Sequence, residues 1–148
     1  MGIPKGITEF KFTEALPYAD GTADREGAIL DMMGYRGVLM VVKFAAIEAL
    51  GVNSIKAQQD TAVGMGAAAD LFGTAMTVAA NDDDQIFILD LYEPTERYVR
   101  LYVDKDTTHT CAESAIYIQY GARNRPTTPT VTDKVTYERH ESPAEGTA

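Results

Sequence analysis

Two neighbouring segments alternate apolar and polar residues more cleanly than any other part of this chain: RYVRLYVDKD (97–106) and ESAIYIQYGA (113–122). A period of two marks a strand whose faces differ in character. In the first segment Val99, Leu101 and Val103 share one face, and Tyr98, Arg100 and Tyr102 share the other. In the second, Ile116, Ile118 and Tyr120 alternate with Tyr117 and Gln119. A strand with one apolar and one polar-aromatic face is typical of antiparallel sheets. The expected core residues of this pair are Val99, Leu101, Val103, Ile116 and Ile118.

The rest of residues 8–121 follows the same grammar. TEFKFTE (8–14) alternates, with Phe10 and Phe12 on one side. PYADGTADREG (17–27) carries Pro17, Asp20-Gly21 and Gly27 and reads as a loop. AILDMM (28–33) is a short strand ended by Gly34. VLMVVKFAAIEAL (38–50) reads as a central strand over 37–46, because β-branched residues cluster between Gly37 and Gly51. Leu39 and Val41 fill much of its second face, and AAIEAL leaves room for a helical turn over 46–50. NSIKAQQD (53–60) and TAMTVAA (74–80) are weaker strands, and VGMGAAADLFG (63–73) is a connection rich in small residues. QIFILDLY (85–92) is strongly apolar and closes at Glu93-Pro94. Seven or eight short strands without long helices predict an all-β fold: an antiparallel β-sandwich, jelly-roll-like, as body 1–121.

Residues 122–148 read differently. RNRPTTPTVTDKVTYERHESPAEGTA has three prolines, many threonines and few large apolar residues. It is expected to be an extended C-terminal arm, either docked on a neighbouring subunit or simply disordered. Its acidic and basic residues balance, so the formal charge of −9 resides in the body. An acidic body repels phosphate backbones, so no nucleic-acid partner is expected. Apolar runs stay short of the roughly 20 residues that span a bilayer, so no membrane partner is expected. Cys111 is the only cysteine, which excludes an internal disulfide and fits synthesis in a reducing cytoplasm. MGIPKGITEF lacks the apolar stretch of a signal peptide, and Gly6 stands where a myristoylated Gly2 would call for Ser or Thr.

Chemistry-bearing residues form no catalytic pattern. Asp82, Asp83 and Asp84 lack the oxygen spacing of a calcium loop and read as a hairpin tip. His109 and His140 lie in separate segments, and Cys111 has no nucleophile signature around it. Gly64-Met65-Gly66 is not followed by a phosphate-binding pattern. Tyr98, Tyr102, Tyr117 and Tyr120 would offer a stacking platform for sugars, but ordinary cross-strand packing is the commoner reason for such a row. No catalytic residue, metal or cofactor is expected.

The arm carries the candidate site. Val131, Val135 and Tyr137 are spaced as anchors along an extended segment. Arg123, Arg125 and Arg139 supply charges for acidic partners. Pro126 and Pro129 stiffen the exit from the body. At roughly 3.3 Å per residue such an arm reaches tens of ångströms. These six residues are the expected partner-binding set.

RYVRLYVDKDT, IYIQYGARNRPTTPT and HESPAEGTA, mainly within 85–148, resemble small proteins encoded near the major capsid genes of tailed bacteriophages. Those with known roles include head decoration, or cement, proteins, several with jelly-roll or sandwich folds. The resemblance implies a virion structural protein that binds the major capsid protein on the capsid exterior. It also implies self-association there. A neck or tail component, a carbohydrate-binding sandwich and a small β-rich enzyme are the competing readings.

Overall fold

The computed structural model describes residues 6–125, 127, 131–140, 142 and 144–146. After a short 3-10 turn (Gly6–Glu9), ten strands follow: β1 (Lys11–Gly21), β2 (Arg25–Glu26), β3 (Leu30–Asp31), β4 (Gly37–Ile47), β5 (Val52–Asp60), β6 (Ala69–Asp70), β7 (Met76–Ala79), β8 (Ile86–Tyr92), β9 (Tyr98–Asp104) and β10 (Cys111–Tyr120). A second 3-10 turn spans Val131–Asp133. One sheet has the order β1-β10-β4-β8. The other has the order β2-β9-β5-β6, with β3 also on β9 and β7 also on β5. Every pairing is antiparallel.

The all-β antiparallel sandwich expected from the alternation is the fold observed. β2 and β3 together serve as one strand position, as do β6 and β7. Pairing is then nested: first with last, second with next to last, third with sixth and fourth with fifth. The facing rows of the two sheets make one core. It holds Val38, Met40, Val42 and Phe44 of β4, Ile55 and Ala57 of β5, and Val99, Leu101 and Val103 of β9. Phe87 meets Phe44 edge-on at 5.4 Å between ring centres.

Several local expectations change. β1 runs on through Pro17 to Gly21, where a loop was expected. It is an edge strand, and irregular register at Glu14/Leu16 and Leu16/Ala19 lets it accommodate a proline without losing β10. No helical turn forms over 46–50, because β4 stays in register with β10 to Ile47. Leu50 then turns the chain at φ 72°.

The largest correction concerns β10, whose faces are opposite to those expected. Ile116 is 42% exposed and Ile118 is half-buried, while Tyr117 and Gln119 are fully inside. The cause lies across the sandwich. The chain leaves β9 between β2 and β3, so the β9 ladder is broken at Leu101. There the Leu101 carbonyl accepts the Gly27 amide (2.7 Å), and the Tyr117 hydroxyl accepts the Leu101 amide (2.9 Å). That hydroxyl in turn donates to the Ala28 carbonyl (2.8 Å), and Gln119 Nε2 donates to the Asp31 carbonyl (2.9 Å). Buried backbone groups need partners, and β10 supplies them from its inner row. A side chain at Gly27 would collide with the Tyr117 hydroxyl, so glycine is required there.

Glu113 continues this polar inner row. It is wholly buried and held by Arg25 (2.6 Å) and by Lys105 (2.6 Å). Lys105 also donates to the carbonyls of Cys111 (2.6 Å) and Gly21 (3.3 Å). The cluster ties the end of β1, β2, the turn after β9 and the start of β10 together.

Candidate docking site

The chain leaves β10 at Gly121, whose φ of +65° suits glycine, and the Arg36 side chain packs where a Cβ would stand. The described residues that follow, 122–125, 127 and 131–133, then lie against the body. The Arg123 amide bonds the Gly34 carbonyl (2.9 Å), and Ala122 is buried. Arg125 pairs with Glu9 (2.7 Å). The Thr127 amide donates to the Thr8 carbonyl (2.9 Å), and its hydroxyl donates to that carbonyl (3.0 Å) and to that of Phe10 (2.5 Å). Asp133 lies 3.6 Å from Lys11. The root of the arm thus runs along the N-terminal turn and the outer edge of β1.

A cleft of about 880 Å³ opens at this end, between residues 32–36, 93–97 and 121–125. Four arginines line it: Arg36, Arg97, Arg123 and Arg125. Arg97 grips Asp31 with two bonds (2.9 and 2.8 Å), which holds the Asp31 carboxyl below the usual carboxylate range. Arg36 lies 3.4 Å from the Tyr92 hydroxyl. Arg123 is exposed and has no carboxylate partner among the described residues. Glu93 and Glu96 line it as well, so the cleft carries both charges. It suits a polar chain segment better than a lone anion.

The other expected anchors separate. Val131 lies in the second 3-10 turn, and its side chain falls outside the described residues. Val135 is half-buried beside a groove of about 450 Å³ shared with Phe12, Tyr18 and Ile116. Tyr137 and Arg139 are exposed. Arg123 and Arg125 therefore sit together at the cleft, while Val135 sits on the outer side of β1 and β10.

That outer side is the surface that sequence reasoning missed. The register places Phe12, Ile118 and Leu39 in one row, with Ile116, Val41 and Ile88 in the next. Ile86 adds to it at 61% exposure and Ile88 at 54%. The signal was present in the two-faced apolar character of 38–42 and 85–92. Such strands usually lie between two layers. Among the described residues only one side of the sheet is covered, apart from the contact near Val135.

The remaining candidates are structural. The Asp82 carboxylate accepts the Ala79 amide (2.8 Å), and that of Asp83 accepts the Ile47 amide (2.7 Å). Both shape the turn before β8. Among the described residues no group of three or more His, Cys, Asp and Glu side chains is arranged to hold a metal. Cys111 is buried, and burial, with Glu113 nearby, pushes its thiol up to about 11. Tyr98 and Tyr102 lie on the outer face of β9, Tyr117 is in the core and Tyr120 is on the other sheet, so they form no single platform. No model of a known protein family matches the chain, and no curated protein matches it.

Proposed function

We propose that this chain is a virion structural protein of the head-decoration class, which binds the major capsid protein on the outside of a tailed-phage head and stabilises the shell. The observation that carries this reading is the uncovered apolar face of the β1-β10-β4-β8 sheet, with Ile86, Ile88 and Ile116 all more than 40% exposed. Contiguous exposed apolar surface marks an interaction site. The nested strand order supports a jelly-roll body, a rigid platform for such a face. The arm root beside the arginine-lined cleft supports a second contact, in which Arg123 and Arg125 meet acidic groups of the shell. Self-association on the lattice adds multivalency, and linked weak contacts gain strongly in avidity.

The test is reconstitution. Purified chain is mixed with expanded heads lacking it, and the particles are sedimented and imaged by cryo-electron microscopy. Density at symmetric positions on the shell, with raised resistance to heat, is the expected outcome. Failure to bind heads, or density on the neck or tail of the virion, overturns the assignment.

A further inference from the structure

We infer that β8 is a self-pairing edge, through which two copies join as a two-fold dimer with one continuous eight-stranded sheet. The inference specifies the self-association proposed above, but it makes its own prediction for the isolated chain.

The sandwich protects its other edges. β1 carries Pro17, irregular register and the docked arm root. β2, β3 and β6 have two residues each, and β7 has four. Bulges, prolines, short strands and covering segments are the usual means of blunting an edge. β8 has none of them. Its seven residues, IFILDLY, run in unbroken register with β4. The one charge, Asp90, is drawn back across the sheet by the Tyr120 hydroxyl (2.5 Å).

The ladder shows which backbone groups are free. The Glu93 amide bonds the Arg36 carbonyl (2.7 Å), and the Phe44 amide bonds the Gln85 carbonyl (3.0 Å). Bonded pairs alternate along an antiparallel ladder, so Phe87, Leu89 and Leu91 face β4. Ile86, Ile88 and Asp90 therefore aim their N–H and C=O groups outward, and among the described residues no hydrogen bond reaches those groups. Their side chains lie on the uncovered face.

A second copy fits this edge better than an unrelated strand would. Pairing β8 with its own symmetry mate, Ile88 opposite Ile88, sets Ile86 opposite Asp90 in two equivalent bonded pairs. The apolar outer rows then run on from one sheet into the next. Within one copy Lys43 lies directly beside Ile86. In this register Asp90 of each copy comes two strand spacings, about 10 Å between backbones, from Lys43 of the other. Within one copy Lys43 Nζ donates to the Asp84 carbonyl and Asp90 accepts the Tyr120 hydroxyl, so the pair forms when both exchange those bonds for each other. Sliding one copy by two residues would put Asp90 opposite Ile88 and next to Val41, with no cation in line. The charges thus favour this register over the shifted one, and the unbroken, uncovered β8 edge itself supplies the match to a second copy.

The test is sedimentation equilibrium of the full chain over a dilution series, with the variants Ile88→Pro, Ile88→Lys and Ile88→Cys. The wild type should reach twice the 16.1 kDa chain mass. Ile88→Pro removes an N–H that points at the partner and leaves the β4 ladder intact. Ile88→Lys sets two ammonium groups face to face and should raise the dimer Kd at least about 100-fold. Its far-UV circular dichroism should match the wild type, which guards against a proline variant that does not fold. Oxidised Ile88→Cys should form covalent dimers, and Ile86→Cys should not. A wild type that stays monomeric throughout overturns the inference, as does an Ile88→Lys chain that dimerises like the wild type. Head binding is scored separately: a β8 dimer that ignores heads sinks only the capsid reading, and a monomer that decorates them sinks only this one.

Discussion

Removing one oxygen atom, by Tyr117→Phe, tests why β10 turns its polar residues inward. The hydroxyl accepts the buried Leu101 amide at 2.9 Å and donates to the Ala28 carbonyl at 2.8 Å. Without it, the Leu101 amide has no acceptor, because the β9 ladder is open at that point. An unpartnered buried amide costs about 1–3 kcal/mol, and the lost bond to the more exposed Ala28 carbonyl adds about 0.5–1.5 kcal/mol. The phenylalanine ring keeps the packing, so the expected loss is roughly 2–4 kcal/mol, a large share of a typical domain's stability. For a chain of this size that is a fall in Tm of roughly 4–16 °C. Urea melts of Tyr117→Phe would be compared with Tyr18→Phe, where the ring is 67% exposed and the change should stay within about 0.5 kcal/mol. Hydrogen exchange at the Leu101 amide should accelerate only in the first variant. If Tyr117→Phe melts like the Tyr18 control, the hydroxyl does not bridge the ladder break and the explanation of the inverted strand fails.

Leu101→Ala should cost about 2–5 kcal/mol in urea melts, while Ile116→Ala, on the uncovered face, should cost under about 1.5 kcal/mol; equal losses would mean that the outer face is covered within the monomer. Glu113→Gln leaves Lys105 and Arg25 facing each other without an anion and should cost about 3–5 kcal/mol by thermal or urea melting; a loss under about 1 kcal/mol would show that the cluster is not buried in solution. The carboxyls of Asp31 (bonded to Arg97), Asp60 (to the Ala62 and Ala67 amides) and Asp70 (to Lys56 and Gln58) are all held below their ordinary range. Their stabilisation is therefore present above the unfolded value of about 3.9 and is lost as pH falls through the lower folded values. Urea midpoints should hold level from neutrality to about pH 5 and drop below about pH 4; a drop confined to pH 5–7 would point to other groups. Cys111 should resist aromatic disulfide reagents at pH 8 until the chain unfolds, and prompt labelling of native protein would contradict its burial.

The period of two and the apolar β-branched clusters were enough to establish strands, their antiparallel character and a sandwich. Those features are local, and they follow from the backbone geometry of a pleated strand. The inner row of β9 was legible for the same reason, since Val99, Leu101 and Val103 oppose plainly polar neighbours. Arg123 and Arg125 were singled out from sequence as docking charges, and the structure seats both on one cleft.

Alternation gives the period of a strand but not its sign. In β10 both rows can be buried or exposed at tolerable cost, because isoleucines stand on one side and Tyr117 and Gln119, amphipathic and long, on the other. What decided the matter was the break between β2 and β3, some ninety residues earlier, which left the Leu101 amide and the Ala28 and Asp31 carbonyls in need of partners. The same limit applies to β4 and β8. The sequence marks them as apolar on both faces, and only the stacking of two sheets rather than three shows that Ile86, Ile88 and Ile116 face outward. Local pattern determined what each strand is; long-range hydrogen-bond satisfaction determined which way it faces, and so which apolar surface is left exposed.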